Sequence, residues 1–371
     1  MTELADAVLV IGFPGQRAVH ITRELLDGGA GAVARLTLLV HPERLQEAQT
    51  QIASWSEAAR ERVTLEPADP IAIDWGLSGS RYRQLAECTR AIHAAYSSLD
   101  EDLPEATAEA LHIGQARELV EFSKVASRLR TLVLYSSVFV SGDRTGRVLE
   151  DELVAGQGFR NPLERTLALT ERMLADAGIQ PWVLRSGHLI ADSRTGAFAR
   201  PTLPHLLLAL AVNSREGARL PALPGSKARL AVTPVDYLAR FGAWVHRLAE
   251  PGHTVHVFEP HGLSVGELWE HALERLGKLP QEANSNLAWA RALLNNPAAR
   301  LVSEHPRSFW SALTPAAEYD QTRYAELLAR GAPPCPSLFS YLDPLLEQLR
   351  IRTQDERLSS EPEVDPPLAV T

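Results

Sequence analysis

Short apolar runs alternate with stretches of helical pattern through the first half of the chain. Each run is only a few residues long, which is the pattern of a strand buried on both faces of a sheet. The predicted strands are Ala7–Ile11, Leu36–Val40, Val63–Leu65, Arg90–Ala94, Thr131–Tyr135 and Trp182–Leu184, and the predicted helices are Val19–Leu26, Glu43–Arg62, Glu109–Val125 and Asn161–Ala177. This alternation predicts an α/β fold in which helices cover both faces of a doubly wound parallel sheet.

The regular alternation fades after Arg185. Residues 1–185 are therefore expected to form the sheet domain, and 186–227 with 261–350 a smaller C-terminal lobe. That lobe is partly interleaved with the sheet, because 228–260 contains a further helix and strand that are expected to return to it. Residues 351–371 hold five acids, two arginines and three prolines, which predicts a disordered acidic tail.

A glycine pattern follows the first predicted strand directly. Gly12, Phe13, Pro14, Gly15 and Gln16 open a segment spaced G-x-x-G-x-x-A. Glycines allow the backbone to turn tightly and approach a pyrophosphate, whose charge then lies at the helix N-terminus. The segment therefore predicts a dinucleotide site at Gly12, Phe13, Gly15 and Gln16. A plain strand-to-helix turn is the alternative, and Pro14 has no N–H to donate.

The residues after the second predicted strand bear on which dinucleotide is bound. An acid at this position binds the ribose 2′-hydroxyl of NAD, whereas basic groups accommodate the 2′-phosphate of NADP. Here His41 and Arg44 flank Glu43. The basic pair favours NADP(H) over NAD(H). The alternative is that all three are solvated residues at the start of a helix.

Composition narrows the class of protein. The 371 residues include 37 basic and 46 acidic ones, for a net charge of −9, which argues against a protein that coats nucleic acid. The longest apolar run, near Leu206–Val212, is too short to cross a bilayer. Two cysteines cannot form a disulfide framework, and acids stand where a signal peptide has basic residues. A cytoplasmic protein without a metal site is expected.

Several stretches resemble the extended short-chain dehydrogenase/reductases, and within them the thioester reductase and fatty acyl-CoA reductase domains. They include VLVIGFPGQRAVHITRELL, LVLYSSVFVSGDRTG, GQGFRNPLERTLALTERML and VLRSGHLIADSRTG. The resemblance implies a Rossmann domain with a substrate lobe, nicotinamide dinucleotide as cofactor, and an acyl thioester or aldehyde as substrate. It also implies that Asp69 lies beside the adenine, that the small Ala94 and Ala95 let the dinucleotide pass, and that Ser137 is the catalytic serine.

The same resemblance reveals a departure at the catalytic core. The family has a Tyr and a Lys four residues apart on one helix, where one turn places both beside the cofactor. In NPLERTLAL these positions are Leu163 and Leu167, and Leu111 stands where the family has an Asn. Loss of the proton donor predicts a redox-impaired protein, because general acid catalysis typically supplies about 10²–10⁴-fold in rate.

Two other interpretations stay open at the level of sequence. The protein is an active NADPH-dependent oxidoreductase if His188 or Ser137 replaces the missing acid, since histidine titrates near neutral pH. It is a nucleotide-free interaction module if the glycine loop has also lost its ligand. The alternative for His188 is a packed loop residue. The oligomeric state and the individual substrate are not readable from the residues.

Overall fold

Seven parallel strands form the central sheet. The computed structural model describes residues 7–27, 33–95, 103–214, 229–248, 250–278 and 317–354. The sheet strands are β1 (Ala7–Ile11), β2 (Leu36–Val40), β3 (Val63–Pro67), β4 (Thr89–Ala94), β5 (Thr131–Ser137), β7 (Trp182–Ser186) and β10 (Thr254–Val257). Their order is β10-β7-β5-β4-β1-β2-β3, and each neighbouring pair is parallel. The predicted Rossmann-type fold is confirmed.

Helices cover both faces of this sheet. The helices of the described chain are α1 (Gln16–Asp27), α2 (Leu45–Ala53), α3 (Glu57–Arg60), α4 (Gly79–Cys88), α5 (Glu105–Val125), α6 (Pro162–Asp176), α7 (Leu203–Asn213), α8 (Val235–Val245), α9 (Val265–Arg275), α10 (Thr322–Ala329) and α11 (Leu342–Gln354). Val8 and Val10 of β1 share a core with α1 and α8, whereas Leu9 and Ile11 share one with α5. Successive side chains of a strand point to opposite faces, so β1 is apolar throughout.

Two elements differ from the sequence-based prediction. The helix predicted over Glu43–Arg62 is wrong as one element: a 3₁₀ turn, α2 and the single-turn α3 occupy that span. The break follows from Ser56, whose hydroxyl accepts a hydrogen bond from Ala59 N at 3.3 Å and starts a new helix. The helix α4 was not predicted, because its few apolar residues are spread through a polar segment.

The C-terminal half contributes to both parts of the molecule. Strand β10 pairs with β7, and α10 packs on the same core as α8, where the Tyr237 and Tyr324 hydroxyls lie 2.7 Å apart. Helices α7, α9 and α11 bury a second apolar cluster. The division into 1–185 with 228–260, and 186–227 with 261–350, stays a prediction. Of the predicted tail, residues 351–354 end α11 and 355–371 lie outside the described residues.

Two small sheets and an apolar helix lie outside the central sheet. Strand β6 (Gly146–Val148) pairs with β11 (Ala317–Tyr319), and β8 (His188–Leu189) pairs with β9 (Val232–Thr233). The apolar stretch at Leu206–Val212 belongs to α7, which is buried in the second apolar cluster. Across the described segments, no helix is both long and apolar enough to span a membrane.

A buried ion pair ties β7 to α6. Both oxygens of Glu171 accept hydrogen bonds from the Arg185 guanidinium, at distances from 2.7 to 3.2 Å. Arg185 also donates to the carbonyl oxygens of Glu150 and Glu152. The two side chains are 2% and 4% exposed. Such a pair fixes geometry, because removing one partner leaves the other charge buried and uncompensated.

We expect Arg185→Met to lower the free energy of unfolding by about 3–5 kcal/mol, since it strands the Glu171 carboxylate. Urea denaturation measures the change. The matched control is Arg172→Met, whose pair with Asp176 is exposed (55% and 69%) and whose loss should change stability by no more than about 1 kcal/mol. Adding Glu171→Met to Arg185→Met should recover much of the loss. Equal effects in Arg185→Met and the control would contradict the assignment.

Candidate dinucleotide site

The order in which strands are added to the sheet reverses between β1 and β4. From β1 the chain proceeds through β2 and β3 on one side, and then crosses to β4, β5, β7 and β10 on the other. In open α/β sheets ligands bind in the crevice outside the carboxyl ends of the strands at such a switch point. The glycine loop follows β1 and the alanine pair ends β4, so both predicted features border this crevice.

The glycine loop has the geometry of a phosphate cradle. Gly12 has a φ of 101°, which favours glycine, and Gly15 N donates to Gly12 O at 2.9 Å. A Cβ on Gly15 would lie 2.9 Å from that same oxygen, closer than real side chains approach. Helix α1 then begins at Gln16, with its N-terminal amides at the carboxyl edge of the sheet. These residues fit a dinucleotide pyrophosphate.

Two residues predicted to bind cofactor have additional roles in this loop. Phe13 is 3% exposed and packs edge-on against Trp55, with ring centroids 5.9 Å apart. Its backbone, not its ring, therefore borders the crevice. Gln16 Oε1 accepts a hydrogen bond from Ala199 N at 3.1 Å. The glycine loop is thus tied to the segment that precedes α7, a contact between residues 183 positions apart.

The predicted nucleoside-side residues follow β2 and β3. Arg44 forms a bidentate pair with Glu47, at 2.8 and 2.7 Å. His41 begins the 3₁₀ turn, and its Nδ1 accepts from Glu43 N at 3.4 Å. Asp69 Oδ1 accepts from Ile71 N at 3.1 Å and shapes the turn after β3. The Arg44 guanidinium therefore already faces a carboxylate that a 2′-phosphate would have to share or displace. The i,i+3 spacing of Arg44 and Glu47 could have revealed this pair in the sequence.

The end of β4 carries only small side chains. Ala94 and Ala95 are 0% and 1% exposed, and Ala95 N donates to Ile11 O at 3.1 Å. That bond keeps the end of β4 against the end of β1. A methyl group leaves room for a bound molecule to pass close to the backbone here, and contact of a dinucleotide with the two alanines stays a prediction.

Ser137 is the last residue of β5, and His188 follows the neighbouring strand β7. Ser137 pairs with Ser186 in register, and its hydroxyl donates to Ser186 O at 3.2 Å and accepts from Phe139 N at 3.3 Å. The His188 ring packs on Phe139, with centroids 4.6 Å apart. Burial lowers the pKa of His188 to about 4, so the ring is neutral at pH 7. A neutral imidazole is a much weaker acid than an imidazolium.

Leu163 and Leu167 lie on the first turns of α6 in an apolar cluster. They are 4% and 2% exposed and pack with Val140 and Ala168. Asn161 caps the helix by accepting from Glu164 N at 2.9 Å, and Pro162 occupies its first position. The helix is therefore well formed, and the two leucines complete its packing against the 3₁₀ turn that follows Ser137.

A buried histidine lies beside these leucines. His112 is 1% exposed on α5, and its Nδ1 lies 2.6 Å from the Thr166 hydroxyl on α6. Thr170 Oγ1 also donates to the His112 carbonyl at 3.4 Å. These bonds join α5 to α6 next to Leu111, which is itself buried. No sequence spacing signals a contact between residues 54 positions apart.

No three His, Cys, Asp or Glu side chains within the described residues are grouped so that they could hold a metal ion.

Comparison with known proteins identifies relatives of this arrangement. The NAD-binding family model described as "Male sterility protein" matches residues 10–241. The glycine betaine reductase ATRR of Emericella nidulans is 23% identical over 297 residues, which are 74% of this chain and 22% of that protein. The chain thus spans about a fifth of that relative's length.

Solved structures with the same fold include reductase domains. The terminal R domain from the myxalamid PKS-NRPS biosynthetic pathway has a TM-score of 0.72 at 21% identity, covering 96% of this chain and 92% of that one. The reductase (R) domain of a nonribosomal peptide synthetase from Mycobacterium tuberculosis has a TM-score of 0.65 at 19% identity, covering 93% and 92%. At these identities the likeness supports the fold.

We expect the free energy of unfolding to depend on His188 at acidic pH. Its pKa is about 4 in the folded protein and near the ordinary 6.5 in the unfolded chain. The unfolded chain therefore binds the proton more readily, and stability falls as pH drops from about 6.5 to 4, by at most about 1.4 kcal/mol per pH unit. The His188→Phe variant lacks this dependence.

Urea denaturation between pH 4 and 7 measures the slope of stability against pH. His188→Phe should show a shallower slope than the parent protein, while His261→Phe, at an exposed position, serves as the control and should leave the slope unchanged. Identical slopes in all three proteins would mean that His188 is not held neutral by burial.

Proposed function

This chain belongs to the NAD-binding family described as male sterility protein, within the extended short-chain dehydrogenase/reductases that resemble thioester reductases, and from this we propose that it is an NADP(H)-binding member with impaired redox activity. Binding of a nicotinamide dinucleotide follows from the family and the glycine cradle. We propose three further properties: a preference for NADP(H), the loss of turnover, and an acyl thioester or aldehyde as the class of ligand.

The burial of Leu163 and Leu167 carries the proposal. The resemblance assigns these positions to the tyrosine and lysine that protonate the substrate and hold the ribose. Here both side chains pack against Val140 and neither can donate a proton. The nearby titratable candidate, His188, has its pKa lowered to about 4 by burial. The neutral Ser137 hydroxyl has its own hydrogen bond to Ser186 O. The bound cofactor would supply hydride, but the chain offers no matching acid at the leucine positions.

The intact cradle argues for retained binding. Gly12 and Gly15 keep a turn that admits no Cβ at Gly15, and α1 begins directly behind it. Gly12 supplies the positive φ of this turn and Gly15 its close approach to Gly12 O, so the chain keeps the backbone shape that can approach a pyrophosphate. Binding without turnover suits a sensor or a pathway partner built on the reductase fold.

We expect purified protein to bind NADPH and to leave it unoxidised. Fluorescence enhancement of NADPH measures binding. Turnover is measured as the decrease of NADPH absorbance after addition of a long-chain aldehyde or acyl-CoA. NADPH oxidation that falls about tenfold or more in Ser137→Ala or His188→Ala would overturn the proposal in favour of an oxidoreductase with a different acid. Binding of neither NADPH nor NADH would overturn it in favour of an interaction module.

We expect the Arg44–Glu47 pair to control the choice of cofactor. Arg44→Gln should weaken NADPH binding about tenfold, because a hydrogen bond to a charged group is worth about 1.5–3 kcal/mol, and should leave NADH unchanged. Glu47→Gln should strengthen NADPH binding, since it removes the carboxylate that competes for the guanidinium. Titrations with both nucleotides test this. Parallel changes for NADPH and NADH would contradict recognition of a 2′-phosphate by Arg44.

A further inference from the structure

A second cavity lies at the opposite edge of the sheet from the glycine loop. Its volume is about 760 Å³. Val8, Ala91 and Thr131, near the amino ends of β1, β4 and β5, border it, together with the segment after α8. Small-molecule sites have volumes of about 300–1,000 Å³, so the cavity is large enough for a metabolite. The nucleotide chemistry proposed above does not involve this edge.

Arginines give this cavity a positive charge. Arg90, Arg130 and Arg247 line it, with Glu250 as the one acid among the described lining residues. The Glu250 carboxylate is already paired with Arg330 outside, at 2.8 and 3.0 Å. Arg130 and Arg247 are exposed, and within the described ranges neither guanidinium has a hydrogen bond or an ion pair. The cavity therefore concentrates positive charge on a protein whose net charge is −9.

A buried polar chain reaches the cavity from the sheet. His246 lines the cavity, and its Nδ1 lies 3.1 Å from His93 Nε2. His93 Nδ1 lies 2.9 Å from the Tyr135 hydroxyl. Burial lowers the pKa of His246 to about 4, so this ring is neutral at pH 7 and contributes polarity without charge. The positive charge of the cavity comes from its arginines at every physiological pH.

The lining restricts the class of ligand. The described lining residues include no Trp, Tyr or Phe on which a nucleobase would stack, and their one aromatic ring, His246, is bonded to His93. Thr131 and Gln180 add neutral hydrogen-bonding groups to the three guanidiniums. Guanidinium groups bind phosphate and carboxylate oxygens in bidentate geometry. We propose that this cavity is a binding site for a small, non-aromatic oxyanion with several negative charges, such as a phosphate ester or a polycarboxylate.

Calorimetric titration with pyrophosphate at low salt tests the site. The double variant Arg130→Gln/Arg247→Gln should bind at least tenfold more weakly than the parent, because two charge-assisted contacts are lost. Both arginines are exposed and without ion pairs in the described chain, so the variant should keep its melting temperature and its NADPH titration. Affinity in the parent protein should also fall with added salt.

The matched control is Arg60→Gln/Arg83→Gln, which removes two exposed arginines outside the cavity and should bind pyrophosphate as the parent does. Any pyrophosphate held by the glycine loop adds the same background to all three proteins. A parallel titration with citrate, which carries carboxylates, identifies the preferred oxyanion. Equal affinities in the parent and both double variants, or no binding of either probe at millimolar concentration, would overturn the proposal.

Discussion

Burial of the sheet on both faces is the constraint that decides where this protein can do chemistry. Parallel strands need crossover helices, and these helices cover the strand interiors completely. Polar groups with access to ligands are therefore confined to the two edges of the sheet. At the carboxyl edge the reversal between β1 and β4 opens a crevice bordered by Gly15 and Ala95. At the amino edge the same strands leave a cavity whose charge comes from arginines.

The leucines of α6 fill positions where the family resemblance places a tyrosine and a lysine. An isolated buried lysine is costly, since a charge in an apolar environment needs a partner. Leu163 and Leu167 avoid that penalty and add apolar contacts to Val140. The cap at Asn161 and the bonds from His112 to Thr166 hold α6 in place without any catalytic group. Selection for stability alone would retain this arrangement, which is why an intact α6 is no evidence for turnover.

Periodicity predicted the sheet well because it depends only on local patterns. The strand bounds at Ala7–Ile11 and Leu36–Val40 agree with the structure to the residue. The glycine loop was readable for the same reason. Contacts between distant segments were not: nothing in the sequence connects Gln16 with Ala199, or Arg185 with the carbonyl of Glu150. The interior position of the Phe13 ring likewise depends on Trp55, which only the folded chain brings near.

A neutral histidine at each edge of the sheet has a different consequence there. Burial lowers the pKa of His188 at the carboxyl edge and of His246 at the amino edge, each to about 4. Neither ring is charged at neutral pH, yet the consequence differs. At the carboxyl edge the neutral His188 ring is a weaker acid than an imidazolium, which agrees with the proposed loss of turnover. At the amino edge it changes little, because arginine stays charged whatever its burial. An oxyanion there would thus be bound over a wide pH range, independently of whether the dinucleotide crevice is catalytic.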